Sequence, residues 1–281
     1  MEMFFEEFNF PATYFPSSAM LGSFCYGRST SLVVDFGASH TTVSPVVDGF
    51  VLKKSVVSTA RGGNYLDEII GNFLSTQSIE VKPWYEKKGY CKYDVHSTAS
   101  FRKLHEIDII RDLKSWMCFI SPQLHDPFSD SISNRIQHMP SYELPDGTQI
   151  SASESLCLAP EIFLKRSRDR VPIPPNKASS NSSSNTSSKS GSILPPTSVS
   201  GMPVYAQPLD INYSLDPIHE LIYASVARCD VDCRKELLSN IVLVGGGSLI
   251  DGLPVRLGLE LGTLLPMSMK VRSYYFNYNN Y

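Results

Sequence analysis

The chain has 281 residues, of which 42% are hydrophobic, and it carries 25 Lys and Arg against 28 Asp and Glu, a formal net charge of −3. This length suits one large domain or two ordinary ones around a buried core, and the apolar fraction is typical of globular proteins. Because the basic residues are scattered, the composition predicts no nucleic-acid-binding face and favours a protein partner or a small ligand.

Six cysteines are spread along the chain, with one C-x3-C pair at Cys229 and Cys233 and no zinc-finger spacing. This pattern predicts reduced, mostly buried thiols in a cytoplasmic or nuclear protein. No stretch approaches the ~18 apolar residues that a membrane span needs, so we expect no membrane partner.

The first predicted strand, residues 31–35, ends in Asp35, and Gly37 follows before a run of small hydroxyl residues. A carboxylate at the end of a buried strand can lie near a metal–phosphate centre, and the glycine lets backbone N–H groups face phosphate oxygens. An ordinary structural hairpin explains this turn at least as well. A second extended stretch then continues to Asp48 and Gly49.

The next elements alternate between strand and helix. A strand is predicted at 50–57, a second helix near 98–114, and two short strands around the Pro145-Asp146-Gly147 turn, where proline presets φ and glycine accepts a positive φ. The first helix is predicted from apolar residues that recur on one face, namely Tyr65, Leu66, Ile69, Ile70, Phe73 and Leu74.

Between Ala178 and Ser200 the composition collapses to Ser, Asn, Pro, Thr and Gly, with prolines on both sides. Such a segment cannot bury enough apolar surface to offset its ordering entropy. We therefore predict a disordered surface insertion over residues 167–208. It interrupts a fold rather than ending one, because patterned sequence resumes after it.

After the insertion, helices are predicted near 216–228 and at 231–239, followed by a strand at 240–244. Gly245, Gly246 and Gly247 come next and are predicted to open a helix with apolar positions at Leu249, Leu253, Leu257 and Leu261. Bare backbone at a helix N-terminus can accept a nucleotide, although a plain β-to-α connection is equally consistent. The alternation of strands and helices predicts an α/β fold.

Several long motifs are similar to actin-family sequence: FEEFNFPATYF, SYELPDG and CDVDCRKELLSNIVLVGGGSLIDGLPVRL. The stretch GRSTSLVVDFGASHTTVSPVVDGFVL resembles conventional actin less than it resembles the nuclear actin-related protein 4 class of that family, and VKPWYEKKGY and SWMCFISPQL agree. The resemblance covers nearly all of the chain outside the insertion. It implies an actin-like ATPase-domain fold of the ribonuclease-H-like type, incomplete and interrupted by a Ser/Asn/Pro-rich insertion.

The resemblance also implies a division of the chain into subdomains. The first phosphate hairpin and the C-terminal helical return of the family fall outside the 281 residues, so we expect a chain truncated at both ends that does not form a stable, nucleotide-competent monomer. The implied parts are a remnant of the first large subdomain at 1–25, the inner subdomain of the second lobe at 26–60 and 209–273, an outer small subdomain at 61–166, the insertion at 167–208 and an atypical tail at 274–281.

ATP with Mg is the cofactor that the resemblance implies. Asp35 would contact the metal through a bound water in the second phosphate loop. A solvated helix face is the simpler interpretation of Arg111 and Lys114, and only the resemblance assigns them to the ribose and base. The implied binding residues are Asp35, Gly37, Ala38, Ser39, Arg111, Lys114, Gly245, Gly246 and Gly247.

The chain departs from conventional actin where catalysis depends on side chains. Ala38 stands in place of an acidic residue, Thr42 in place of a histidine, and Ser18 in place of a glutamine that orients the attacking water. Phosphoryl transfer then loses much of its positioning and electrostatic help. Ser115 also replaces a carboxylate at the ribose. These departures imply slow or absent hydrolysis, weakened nucleotide binding and no catalytic residue.

The resemblance implies a non-catalytic nuclear scaffold subunit of chromatin-remodelling and histone-acetyltransferase complexes, with a role in transcription regulation. Its implied partners are actin and the helical actin-binding segment of a remodelling motor or scaffold subunit, with chromatin contacted indirectly. Two alternatives are a competent actin-type ATPase and a polymerising cytoskeletal actin. The altered phosphate loop disfavours both, and the insertion disfavours the second.

We predict that proteases cut first between Ala178 and Ser200, because this composition does not support a fixed backbone. Limited trypsin or subtilisin digestion followed by mass spectrometry of the fragments measures this. Shortening the segment should leave thermal stability unchanged. First cuts elsewhere, with this segment protected, would contradict the prediction.

Overall fold

The protein is described from a computed structural model. The structure describes residues 2–86, 97–123, 130–165, 216–265 and 273–274. The predicted insertion, including its serine-rich segment, lies outside the described residues.

The helices and strands of the described ranges largely follow the predicted order. The α-helices are α1 (Glu2–Glu6), α2 (Ser18–Cys25), α3 (Gly63–Thr76), α4 (Ala99–Met117), α5 (Asp130–Gln137), α6 (Glu154–Cys157), α7 (Ile218–Ala227), α8 (Val231–Ser239) and α9 (Leu253–Leu264). The strands are β1 (Ser31–Phe36), β2 (Thr41–Val47), β3 (Phe50–Val51), β4 (Val57–Thr59), β5 (Tyr142–Glu143), β6 (Gln149–Ile150), β7 (Ile241–Val244) and β8 (Ser273–Tyr274). Short 3-10 turns lie at Lys53–Ser55, Trp84–Glu86, Ala159–Phe163 and Gly246–Leu249.

A mixed sheet with strand order β3-β2-β1-β7-β8 organises the fold, and β4 pairs with the other end of β2. β1 runs antiparallel to β2 and parallel to β7, and Asp35 lies opposite Thr42 on one side and Val244 on the other. Since the carboxyl ends of parallel strands meet at one edge, the two glycine-containing turns begin side by side. The predicted α/β class is confirmed.

Alternate residues of β1 face opposite sides of the sheet, and both sides are covered. Leu32, Val34 and Phe36 belong to the main core. Val33 packs into a smaller cluster with Ala19 of α2. This double burial explains why β1 is almost continuously apolar up to Asp35.

The strand predicted at 50–57 is wrong in its extent. The Leu52 amide still donates to Pro45 O at 2.9 Å, in register with the β2–β3 pairing. The Ser55 amide then donates to Leu52 O at 2.9 Å, so the chain turns after Leu52 instead of continuing as a strand. The run of apolar residues is therefore divided between β3, a 3-10 turn and β4.

The helix predicted to open at the glycine run begins six residues later than Gly247, at Leu253. Gly252 precedes it at φ 83°, and a side chain there would overlap Ile120 O. Pro254 then occupies the first turn, where a missing N–H costs nothing. Leu253, Leu257 and Leu261 are buried as the pattern predicts, whereas Leu249 is exposed outside the helix.

The described cysteines are free thiols, as their spacing predicts. Cys118, Cys157 and Cys229 are buried, Cys233 is half-buried and Cys25 is exposed. Burial raises the pKa of Cys118 to about 12, so this thiol stays protonated and unreactive at neutral pH. No helix of the described ranges is long and apolar enough to cross a membrane.

A buried ion pair joins α9 to the segment around Glu161. Arg256 Nη1 lies 3.7 Å from Glu161 Oε1, and the Arg256 Nε donates to Glu260 Oε1 at 2.8 Å. The Ser121 amide donates to Glu161 Oε1 at 2.9 Å. Glu161 is only 1% exposed, and this burial raises its pKa more than Arg256 lowers it. The carboxylate is therefore held at a desolvation cost that its partners must offset.

We predict that Glu161→Ala lowers the free energy of unfolding by roughly 3–5 kcal/mol, because it leaves the Arg256 guanidinium buried without this partner. Glu260→Ala is the matched control, since its more exposed carboxylate contacts the same guanidinium. The soluble fraction of tagged protein after heating cell extract measures both. Equal losses for the two variants would contradict the special role of the buried carboxylate.

Candidate functional site

The turn between β1 and β2 is closed by its own backbone. The Gly37 amide donates to His40 O at 3.1 Å, and Ala38, Ser39 and His40 are exposed. Asp35 is half-buried at the end of β1, and within the described part of the chain no group donates a hydrogen bond to its carboxylate. The turn therefore presents backbone groups to solvent beside a carboxylate that can still accept hydrogen bonds.

The N-terminus of α3 donates two backbone hydrogen bonds to this turn. The Gly63 amide donates to Gly37 O at 3.0 Å and the Asn64 amide to Ala38 O at 2.8 Å. A side chain on Gly62 would overlap Ala38 O. The first amides of α3 are thus occupied by the turn itself. The adjacent glycines before an apolar-periodic helix are the sequence signal that could have indicated this contact.

Buried Arg61 fixes the chain just before Gly62. Its backbone oxygen accepts a hydrogen bond from Thr41 Oγ1 at 2.7 Å. Its guanidinium donates to Lys165 O at 2.6 Å and also to Ile162 O. Burial lowers the pKa of Arg61, because the charged form loses hydration. Through its backbone oxygen and its guanidinium, Arg61 therefore connects the start of β2 with the end of the 3-10 turn at Ala159–Phe163.

The glycine run is packed directly against the end of β1. Gly245 has φ 87°, and a Cβ on it would lie 2.5 Å from Phe36 O and 2.8 Å from Asp35 Oδ1. A Cβ on Gly247 would lie 2.9 Å from Phe36 Cβ, whereas one on Gly246 would meet open space. At Gly245 and Gly247, Phe36 of β1 is therefore too close for any side chain. The turn after β1 and the glycine run, which were predicted as separate glycine sites, lie next to each other.

Arg111 and Lys114 of α4 converge on one carboxylate of α3. Lys114 Nζ donates to Asp67 Oδ1 at 2.5 Å and to Gly63 O at 3.4 Å. Arg111 Nε donates to Asp67 Oδ2 at 3.3 Å, and its Nη2 to Asn64 Oδ1 at 3.4 Å. Asp67 is only 6% exposed. The two predicted cations are therefore partly neutralised by a residue that the sequence interpretation missed.

A signal for Asp67 was present in the sequence. It stands between Leu66 and Ile70, and all three are buried on the face of α3 that packs into the core. A carboxylate on an otherwise apolar helix face requires a cationic partner. Its partners could have been sought among the cations of α4.

Of the residues that depart from conventional actin, two lie at the turn. Ala38 is exposed at the tip, and Thr42 lies opposite Asp35 in the β1–β2 register. Ser18 is exposed at the start of α2. The Ser115 hydroxyl donates to Asp112 O at 2.8 Å, within its own helix.

The arrangement fits a phosphate-bearing ligand with a hydrated metal ion. Exposed turn backbone can face phosphate oxygens, and in the glycine run Gly246 faces open space. Asp35 offers one accepting carboxylate for a metal-bound water. Within the described ranges, no group of three or more His, Cys, Asp or Glu is placed to hold a metal ion.

Comparison with known proteins decides the family, since the sequence model of actin matches residues 1–279. The chain belongs to the actin family. It is 30% identical to actin-related protein 4 of Arabidopsis thaliana, over 96% of this chain and 56% of that protein. It is 28% identical to actin-related protein 4 of Schizosaccharomyces pombe, over 95% and 60%. The S. pombe "SWI/SNF and RSC complexes subunit arp42" is 27% identical, over 94% and 59%.

These matches confirm the predicted resemblance to the actin family and its actin-related protein 4 class, and with it the actin-like fold. The chain spans just over half the length of these curated relatives. The subdomain boundaries and the roles of the binding residues stay predictions.

We predict that Gly245→Ala destabilises this actin-family fold by about 1–3 kcal/mol, because the residue has a positive φ and contacts the β1 backbone. Gly246→Ala is the matched control, since it meets open space, and it should stay within about 0.5 kcal/mol of wild type. Thermal denaturation of both variants in cell extract measures the difference. Equal melting of the two variants would contradict the packing described here.

Proposed function

We propose that this protein is a non-catalytic nuclear subunit of chromatin-remodelling and histone-acetyltransferase complexes, with a role in transcription regulation and chromatin organisation. The observation that carries the proposal is the similarity to actin-related protein 4 and to a relative named as a subunit of the SWI/SNF and RSC complexes. The similarity extends over at least 94% of this chain for each of these relatives, so it includes both glycine-containing turns.

We propose that the site holds ATP with Mg. Asp35 would accept a hydrogen bond from a metal-bound water, and the backbone around Gly37, Ala38 and Ser39 would face phosphate oxygens. The Gly245–Gly247 backbone would lie against the adenosine, and Arg111 and Lys114 would lie near the ribose and base. Bound ATP would supply a polyanion that links the β1–β2 turn to the glycine run.

We propose that hydrolysis is slow or absent, because the side chains near the turn are poor catalysts. The Ala38 methyl can neither accept nor orient a proton. Thr42 and Ser18 carry hydroxyls, which are weak general bases at neutral pH. Phosphoryl transfer depends on positioning and charge stabilisation, and these residues supply little of either.

We propose that actin and a helical segment of a remodelling motor or scaffold subunit are the protein partners. An exposed apolar patch between α2 and β3 supports a helical partner. Leu21 and Phe24 lie one helical turn apart on α2, and the Phe24 ring lies against Gly49, next to Phe50, which is 77% exposed. An amphipathic helix binds such a patch through its own apolar face.

Affinity purification of the tagged protein from nuclear extract tests this proposal. We expect actin and the subunits of a chromatin-remodelling or histone-acetyltransferase complex to co-purify, because each contributes an interface to a stable assembly. Phe24→Asp with Phe50→Asp should lose the helical partner, since two charges would be buried against its apolar face. Val231→Asp, at an exposed apolar position on α8, is the matched control and should retain it.

The same purified complex tests the nucleotide. Acid extraction and chromatography of the tagged subunit, after it is separated from the co-purifying actin, should release ATP, and its phosphate release should be far slower than that of actin. Recovery of cytoskeletal filament proteins without nuclear subunits would contradict the assignment to chromatin complexes. A phosphate-release rate like that of actin would contradict the non-catalytic role.

A further inference from the structure

A concave site lies away from the β1–β2 turn. It is a cavity of about 280 Å³ between α4, the 3-10 turn at Trp84–Glu86 and the β5–β6 turn. We refer to this cavity as the α4 pocket. Neither the glycine-containing turns nor the patch between α2 and β3 contributes to its lining.

The walls of the α4 pocket are apolar and aromatic. Pro83 and Pro145 contribute ring faces, and Ile109 contributes an aliphatic surface from α4. Trp84 is 55% exposed. Walls of this kind accommodate an aliphatic chain and can stack against a cation.

Two carboxylates give the α4 pocket its charge. Asp108 and Asp112 lie four residues apart on α4, so they are neighbours on one helix face, and both line the cavity. No Lys or Arg is among the described residues that line it. Nearby Arg102 and Lys82 are each paired with Glu80, at 3.1 and 3.4 Å. His105 also lines the pocket, and Arg111 Nη1 lies 3.4 Å from Asp108 Oδ1. Among the described residues the lining therefore carries two carboxylates, of which Asp108 is partly compensated by Arg111.

The Asp112 carboxylate is held in a fixed orientation. The Tyr142 hydroxyl donates to Asp112 Oδ2 at 2.6 Å. Burial, and then this hydrogen bond, raise the pKa of Tyr142, so the phenol remains a donor. Asp108 is less constrained, because its contact with Arg111 is 3.4 Å long and Arg111 also contacts Asp67.

We propose that the α4 pocket binds a lysine side chain presented by a basic peptide. The aliphatic stem packs on Ile109 and the proline rings, and the ammonium lies between Asp108 and Asp112 near the Trp84 ring. Lysine fits better than arginine, because Tyr142 already occupies one oxygen of Asp112 and a planar guanidinium prefers both oxygens of one carboxylate. The cavity is at the lower limit of small-molecule pockets, which favours a single side chain.

Binding of a fluorescein-labelled peptide to the tagged protein, purified with the subunits it retains, tests this proposal. The probe is a ten-residue peptide with one lysine flanked by Gly, Ser and Ala, compared with the same peptide acetylated on that lysine. We expect the acetylated peptide to bind at least tenfold more weakly, because it lacks the charge. Equal binding of the two peptides would overturn the proposal.

Variants locate the binding. Asp108→Asn with Asp112→Asn should weaken the lysine peptide at least tenfold, and Trp84→Ala should weaken it several-fold. Asp232→Asn removes an exposed carboxylate from α8 and is the matched control, so it should bind as wild type does. Because the double Asn variant keeps the shape of both side chains and removes only their charge, unchanged binding by this variant would overturn the proposal.

Two competitors distinguish the source of the cation. Unlabelled lysine peptide should displace the probe at its own dissociation constant, and free butylammonium should need at least a tenfold higher concentration. Equal potency of butylammonium would show a site for small amines and overturn the peptide assignment. Tighter binding of the matched arginine peptide would overturn the assignment to lysine.

Discussion

The parallel pairing of β1 with β7 is the constraint on which the candidate site depends. These strands are about 200 residues apart in sequence, yet Asp35 lies opposite Val244, so the chain leaves both strands at the same edge of the sheet. The pairing is compatible with the following turn only because Gly245 has no side chain to meet Phe36 O. One carbonyl oxygen therefore determines which residue type can follow β7.

Close backbone contacts of this kind recur wherever distant segments meet. Gly62 approaches Ala38 O, Gly245 approaches Phe36 O and Gly252 approaches Ile120 O, and a side chain at any of the three would overlap its neighbour. A glycine has no side chain to bury, so these three contacts are stabilised by the close fit of the two backbones and by their hydrogen bonds. Such positions tolerate few substitutions, even though the residue itself makes no specific interaction.

Features that depend on local sequence pattern could be predicted, whereas features that depend on contacts between distant residues could not. The helix α3 was predictable, because its apolar residues recur with a 3.6-residue period that needs no knowledge of the partner. In α4 only Leu113 and Met117 are buried, and Phe101 and Leu104 are exposed, so the sequence pattern did not identify the face that packs. At the interruption of the predicted 50–57 strand, the Ser55 hydroxyl donates to Arg228 O and the Ser225 hydroxyl donates to Ser55 O, so distant residues hold this turn. The start of α9 depends in the same way on Ile120. The adjacency of the two glycine turns was suggested by the family resemblance. The buried carboxylate of Asp67 between the two cations required the structure.

The Asp67 carboxylate also lowers the positive charge that the proposed ligand would meet. With Asp67 contacting both Arg111 and Lys114, the three side chains carry a net charge of about one positive unit rather than two. Attraction for a polyanion is reduced accordingly, and binding depends more on backbone and shape. A ligand that binds only the folded state stabilises it by about 2.7 kcal/mol when its concentration is 100 times its dissociation constant. If ATP is held without turnover, that stabilisation persists in full, because the γ-phosphate that would face the β1–β2 turn is not cleaved and released. In the proposed scaffold, a site that holds ATP without hydrolysing it would therefore add rigidity to the fold.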